Sequence, residues 1–210
     1  TDSVGRVLWN STGGIIVSDE AIFQDNVKSV ALLSYPMNQV SNFRRTLFQT
    51  TLKDLDGDNP TDFVSLYDVH GVRFLGCTFR NISDSLGHIA GKSKGRGIYS
   101  INSQFYVEPY CPSSSQPCPP DEIIPNVFQN LHYGIKQLNY SPTELTFIEN
   151  ARFIDNYRSI FMSGSDYSTI TSNEFKIPKF NVPPTNELDT CYGLYLGNCT
   201  SYHVENNRFY

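Results

Sequence analysis

The chain has 210 residues, 39% hydrophobic and 18% charged, a balance that supports a folded core and excludes a disordered tail. Its formal net charge of −5 excludes a general attraction to nucleic acid. No run reaches the roughly 18 apolar residues of a membrane-spanning helix, so no membrane insertion is expected.

From the N-terminus onward the chain keeps returning to a phenylalanine. It stands in AIFQDN (Phe23), TLFQTT (Phe48), CTFRN (Phe79), NVFQN (Phe128), ARFIDN (Phe153), NEFKI (Phe175) and NRFY (Phe209). Five residues before each lies a second large apolar side chain, at Phe43, Phe74, Ile123, Ile148, Ile170 and Val204, with Ser18 the exception. A third column runs upstream through Leu8, Val30, Val64, Ile98, Ile135, Ile160 and Leu194. The shortest spacings, 15 residues from this column to the Phe and 7 back to it, define a 22-residue unit; longer spacings mark insertions. That is a repeat.

The units are short runs of Ile, Val, Phe, Tyr and Thr, as in GIYSIN, SIFMSG and GLYLGN, alternating with the period of a strand. Gly, Asn, Asp and Ser punctuate them and supply tight turns. No amphipathic helix of ten residues breaks the pattern, which argues against a leucine-rich repeat. The fold expected is all-β: a right-handed parallel β-helix of about seven coils, a rod of about 29 Å. Corner insertions occupy residues 51–62, 82–95, 108–122 and 178–191. Two residues before each Phe stand Ala21, Thr46, Cys77, Asn126, Ala151, Asn173 and Asn207; the amides among them can bond from coil to coil or simply favour turns. The chain ends on NNRFY with no polar cap behind it, so residues 1–210 are read as a single β-helix segment excerpted from a longer chain, with flanking domains as partners.

Five cysteines leave at least one unpaired within the chain. Cys111 and Cys118 bracket the Pro- and Ser-rich loop CPSSSQPC, where a local disulfide would point to an oxidising compartment. The first insertion carries Asp54, Asp56, Asp58 and Asp62 around Gly57, the first three being the candidate metal ligands. Alternating carboxylates beside a glycine turn can gather a calcium ion, although the spacing is not that of an EF-hand and a solvated acidic turn is the alternative. No other cofactor is required by any motif.

Two outward columns carry the candidate binding face. One residue after the upstream column stand Trp9, Ala31, Ser65, Tyr99, Lys136, Phe161 and Tyr195. Two residues before it stand Arg6, Lys28, Asp62, Arg96, Tyr133, Arg158 and Tyr192. With 16 Lys and Arg in 210 residues, seven positions average about half a basic residue, and the second column holds four. Aromatic rings stack on sugars and guanidinium groups pair with carboxylates or sulfates, so Arg96, Tyr99, Arg158, Phe161, Tyr192 and Tyr195 are the expected contacts for an acidic polysaccharide. The alternative is a set of ordinary outward residues with salt-bridged arginines.

No catalytic residue is assigned. Glu149 and Glu205 share a coil position, but two coils apart, about 10 Å, and nothing else converges on them. The four histidines show no metal-ligand spacing, and the four Asn-x-Ser/Thr sequons are no more than an Asn-rich chain yields.

The strings FVSLYDVHGVRFLGCTFRNIS, GRGIYSINSQFYVE and YGLYLGNCTSYHVENNRFY resemble large secreted right-handed parallel β-helix proteins of Bacteroidota. The likeness begins near residue 15. It implies a pectin-lyase-like fold, a place outside the cell or on its surface, and export by the type IX secretion machinery. It carries over no catalytic residue, since fold alone does not license an activity. The function expected is a non-catalytic adhesin, stalk or glycan-binding surface. The alternatives are part of a polysaccharide lyase or glycoside hydrolase, or a passive spacer.

Overall fold

The computed structural model describes residues 6–10, 14–35, 40–51, 61–82, 94–113, 117–140, 145–177 and 190–210, without the side chains of 6–10 and 35. The described chain winds through three parallel sheets, each strand pairing with its counterparts one coil away. The first sheet holds β1 (Arg6–Asn10), β4 (Lys28–Tyr35), β7 (Asp62–Val69), β10 (Arg96–Ile101), β13 (Tyr133–Leu138), β16 (Arg158–Ser163) and β19 (Tyr192–Gly197). The second holds β2 (Val17–Asp19), β5 (Ser41–Arg44), β8 (Val72–Leu75), β11 (Phe105–Glu108), β14 (Thr146–Glu149), β17 (Thr169–Thr171) and β20 (His203–Glu205). The third holds β3 (Ile22–Gln24), β6 (Leu47–Thr50), β9 (Thr78–Asn81), β12 (Val127–Gln129), β15 (Arg152–Ile154), β18 (Glu174–Lys176) and β21 (Arg208–Phe209). Seven coils of three strands make a right-handed parallel β-helix.

The core is built from columns. Phe23, Phe48, Phe79, Phe128, Phe153, Phe175 and Phe209 form one continuous stack, with neighbouring centroids 4.7–5.0 Å apart and ring planes within 9°. The coil spacing of about 4.8 Å makes this possible, since it brings like side chains to aromatic stacking distance. Val30, Val64, Ile98, Ile135 and Ile160 are fully buried beside that stack, in the register expected from the spacing. The glycines of GIYS and GIKQ answer to the same stack. A Cβ at Gly97 would come within 2.5 Å of the Gly134 carbonyl oxygen and 2.8 Å of the Phe128 ring.

The second sheet corrects one column. Val107, not Ile123, stacks between Phe74 and Ile148. The insertion of the fourth coil leaves after β11 instead of before it. Its two ends are clamped by an antiparallel bridge, with Tyr110 and Ile124 exchanging N–H···O bonds of 2.8 and 2.9 Å. Beyond the bridge Cys111 and Cys118 are joined as a disulfide. Spacing counted back from Phe128 met Ile123 first, because an apolar residue inside the excursion mimics a strand.

Between the second and third sheets the chain turns on single left-handed residues, Glu20, Arg45, Gly76, Asn150, Ser172 and Asn206, with φ between 46° and 62°. Where the next corner position carries an amide, at Asn126, Asn173 and Asn207, it satisfies main-chain groups of the neighbouring coil. Asn126 Oδ1 accepts from the Cys77 N–H at 2.8 Å, and its amide donates to the Phe74 and Glu108 carbonyls at 3.1 and 2.6 Å. Asn173 does the same for Ala151 and Ile148, and its amide also reaches Asn207 Oδ1 at 3.0 Å. Most of the bonds therefore run from amide to main chain, with one direct amide-to-amide link.

Candidate functional site

The outer face of the first sheet is set by strand parity: Ile98, Ile135 and Ile160 point inward, so the residues after them point out. Pairing aligns Tyr99, Lys136, Phe161 and Tyr195 in one ladder, and Lys28, Asp62, Arg96, Tyr133, Arg158 and Tyr192 in the next. All six expected contacts stand on this face.

Their rings and cations first serve one another. The Arg96 guanidinium lies 3.9 Å from the Tyr99 ring centroid. Lys136 Nζ is 5.9 Å from the Tyr99 and Phe161 centroids and 5.2 Å from that of Tyr133. Arg158 lies 5.3 Å from the Tyr133 and Tyr157 centroids and 5.5 Å from that of Tyr192, and donates from Nη1 to the Tyr133 hydroxyl. Phe161 and Tyr195 stack with centroids 4.9 Å apart and planes 6° apart. Rings so stacked across a coil spacing turn edges, not faces, to solvent, so at Phe161 and Tyr195 the face presents ring edges and a phenol hydroxyl beside the cations. Ring edges carry the positive end of the quadrupole, which suits an anionic ligand.

Arg96 has a second duty. Asp62 is only 2% exposed and accepts from Arg96 Nε and from Ser65 Oγ at 3.0 Å, with Lys28 Nζ at 3.5 Å. Burying a carboxylate is costly, and such partners offset the desolvation. Even so, the four described cations of the two columns, Lys28, Arg96, Lys136 and Arg158, face one carboxylate, Asp62, which leaves +3 on a chain of net charge −5. Burial opposes the charge of Arg158, but its hydrogen bond to Tyr133 and the neighbouring phenols carry its pKa above the ordinary value. Burial, with Tyr133 beside it, raises the pKa of Tyr192 and keeps it a protonated donor. Lys136 and Tyr133 were not among the expected contacts. Lys136 was visible in the ladder, but nothing in the sequence ranked it above its neighbours.

Glu149 and Glu205 lie in one column of the second sheet with Thr171 between them. Both are exposed, and Glu205 Oε2 is bound to His203 Nε2 at 2.9 Å. Asp54, Asp56 and Asp58 lie outside the described residues.

With this geometry in view, comparison with known families gives one match. Residues 39–210 match the family described as periplasmic copper-binding protein (NosD). The chain belongs to the NosD family. Among curated proteins and among solved structures, none matches the chain.

The copper in the NosD description can be set against the residues present. Among the described residues, no three of His, Cys, Asp and Glu gather to hold a metal ion. Cys77 is fully buried and donates to the Phe43 carbonyl, and burial pushes its thiol up to about 12. Burial likewise pushes Cys191 up to about 11 and raises Cys199. A cysteine ligates copper as its thiolate, so thiols with raised pKa are poor donors. The described part of this NosD chain does not fit a copper centre. One outcome follows at once: at pH 9, where an ordinary thiol with pKa 9.0 is half ionised, Cys77 stays protonated. Iodoacetamide is expected to label Cys77 only after denaturation, as read by peptide mass spectrometry; rapid native labelling of Cys77 would contradict its burial.

Proposed function

We propose that this NosD-family chain is a non-catalytic β-helical rod outside the cytoplasm that binds acidic polysaccharide along the outer face of its first sheet. The observation that carries this reading is the +3 ladder of cations and ring edges on a chain of net charge −5. The compartment is supported by the family's periplasmic description and by the Cys111–Cys118 disulfide, which suits an oxidising environment. The likeness to secreted Bacteroidota β-helix proteins favours export by the type IX machinery and a surface role as adhesin or stalk.

The test is a glycan array at low and moderate salt, with uronate-bearing and sulfated polysaccharides, calcium present and absent. The expected result is binding that weakens with salt. It should be lost in the combined variant Arg96→Ala, Tyr99→Ala, Arg158→Ala, Tyr195→Ala, checked for folding by circular dichroism. A folded wild-type chain that stays silent across the array leaves a passive spacer as the better account.

A further inference from the structure

Resting on that reading, we infer that Lys136 is the residue that selects an anionic group, a sulfate or a uronate carboxylate, on the bound sugar. The cations of the face are not equivalent. Lys28 and Arg96 share the buried carboxylate of Asp62, which offsets one of their two charges and orients both side chains toward itself. Arg158 is held among Tyr133, Tyr157 and Tyr192 and spends a donor on Tyr133.

Lys136 is placed differently. Its Nζ sits among Tyr99, Tyr133 and Phe161, and among the described residues it makes neither an ion pair nor a hydrogen bond. Aromatic rings hold a cation in place without neutralising it. The ammonium therefore keeps its full charge and three N–H donors for a ligand.

Sheet register makes this a prepared position. Tyr99 stands one coil before Lys136 and Phe161 one coil after, so rings bracket the lysine on both sides along the axis. A side chain already bracketed loses less freedom when a ligand arrives, which is how preorganisation raises affinity. Next along the ladder, the Phe161–Tyr195 stack turns ring edges outward and offers no competing carboxylate. The point charge of a lysine suits either a sulfate or a carboxylate, whereas planar bidentate pairing belongs to arginine.

The experiment titrates the whole chain with dextran sulfate, polygalacturonate and unsubstituted dextran by calorimetry. Wild type is expected to bind the two charged polymers well above dextran. Lys136→Gln should weaken both roughly tenfold or more, the loss of one charge-assisted contact, with an unchanged melting temperature. Lys136→Arg should restore most of the binding. Arg152→Gln, on the third sheet where Arg152 pairs with Glu174, should bind as wild type. Lys136→Gln binding the charged polymers like wild type would overturn the role of Lys136 and leave the glycan reading standing. Wild type ignoring all three polymers, or preferring single-stranded DNA over them, would overturn the glycan reading and this inference together.

Discussion

Replacing Phe79 with alanine should lower the unfolding free energy by about 3–5 kcal/mol. Phe79 is fully buried as the third ring of the seven-ring column, with Phe48 and Phe128 each 4.7 Å away and nearly parallel to it. Phe74 closes a third side, edge to face at 5.7 Å. The upper part of the range is expected, because the neighbouring rings are fixed by strand register and cannot collapse into the space. Phe209→Ala offers the contrast: that ring is 52% exposed and stacks on one neighbour, so its loss should cost far less. Urea unfolding followed by circular dichroism measures both. Equal losses would mean that the column contributes no more than its separate rings.

The second large effect is expected at a polar residue. Asn126 has no exposed surface and satisfies three main-chain groups at once, the Cys77 N–H and the Phe74 and Glu108 carbonyls. Alanine would leave the Cys77 N–H and the Phe74 carbonyl without this partner in a dry corner, at about 1–3 kcal/mol each, while the Glu108 carbonyl keeps the Gly76 N–H at 3.3 Å. A total on the order of 3 kcal/mol or more is therefore expected for Asn126→Ala. The damage should be local first, because the Asn126 amide also ties the start of the excursion after β11 to its return at β12. Hydrogen exchange at the Cys77 amide should accelerate well before global unfolding. Unchanged exchange there would contradict the role assigned to the amide.

How far the sequence could be read divides along a physical line. Column membership was legible because a parallel stack repeats side chains at a fixed spacing, and strand parity decides which face each one takes. The phenylalanine column, the inward Ile98–Ile135–Ile160 column and the outward Tyr99 ladder follow from that alone, whereas the Arg96 ladder shares the parity of Ile98 and faces out only because buried Gly97, Gly134 and Ser159 interrupt the alternation. The fourth coil misled because DEII and FYVE both look like strands, and only the bridge between Tyr110 and Ile124 shows which lies inside the excursion.

The chemistry of the face was less legible. That Arg96 answers to Asp62 depends on how deeply Asp62 sinks, at 2% exposure, and burial depth is not written in a column pattern. That Phe161 and Tyr195 show edges instead of faces depends on side-chain rotamers, which respond to the coil above and below. Lys136 gained its importance only when its neighbours proved to be rings without a carboxylate among them.

On the proposed reading, an anionic polysaccharide lies along the first sheet and not elsewhere on the rod. Hydroxyl-radical footprinting with and without dextran sulfate tests it directly, because every sheet carries its own aromatic reporters. Tyr106 and Phe147 stack 5.2 Å apart on the second sheet and serve as the internal comparison. Protection of Tyr99, Phe161 and Tyr195 with unchanged oxidation of Tyr106 and Phe147 is the expected result. Protection confined to Tyr106 and Phe147, or none at saturating polymer, would contradict it.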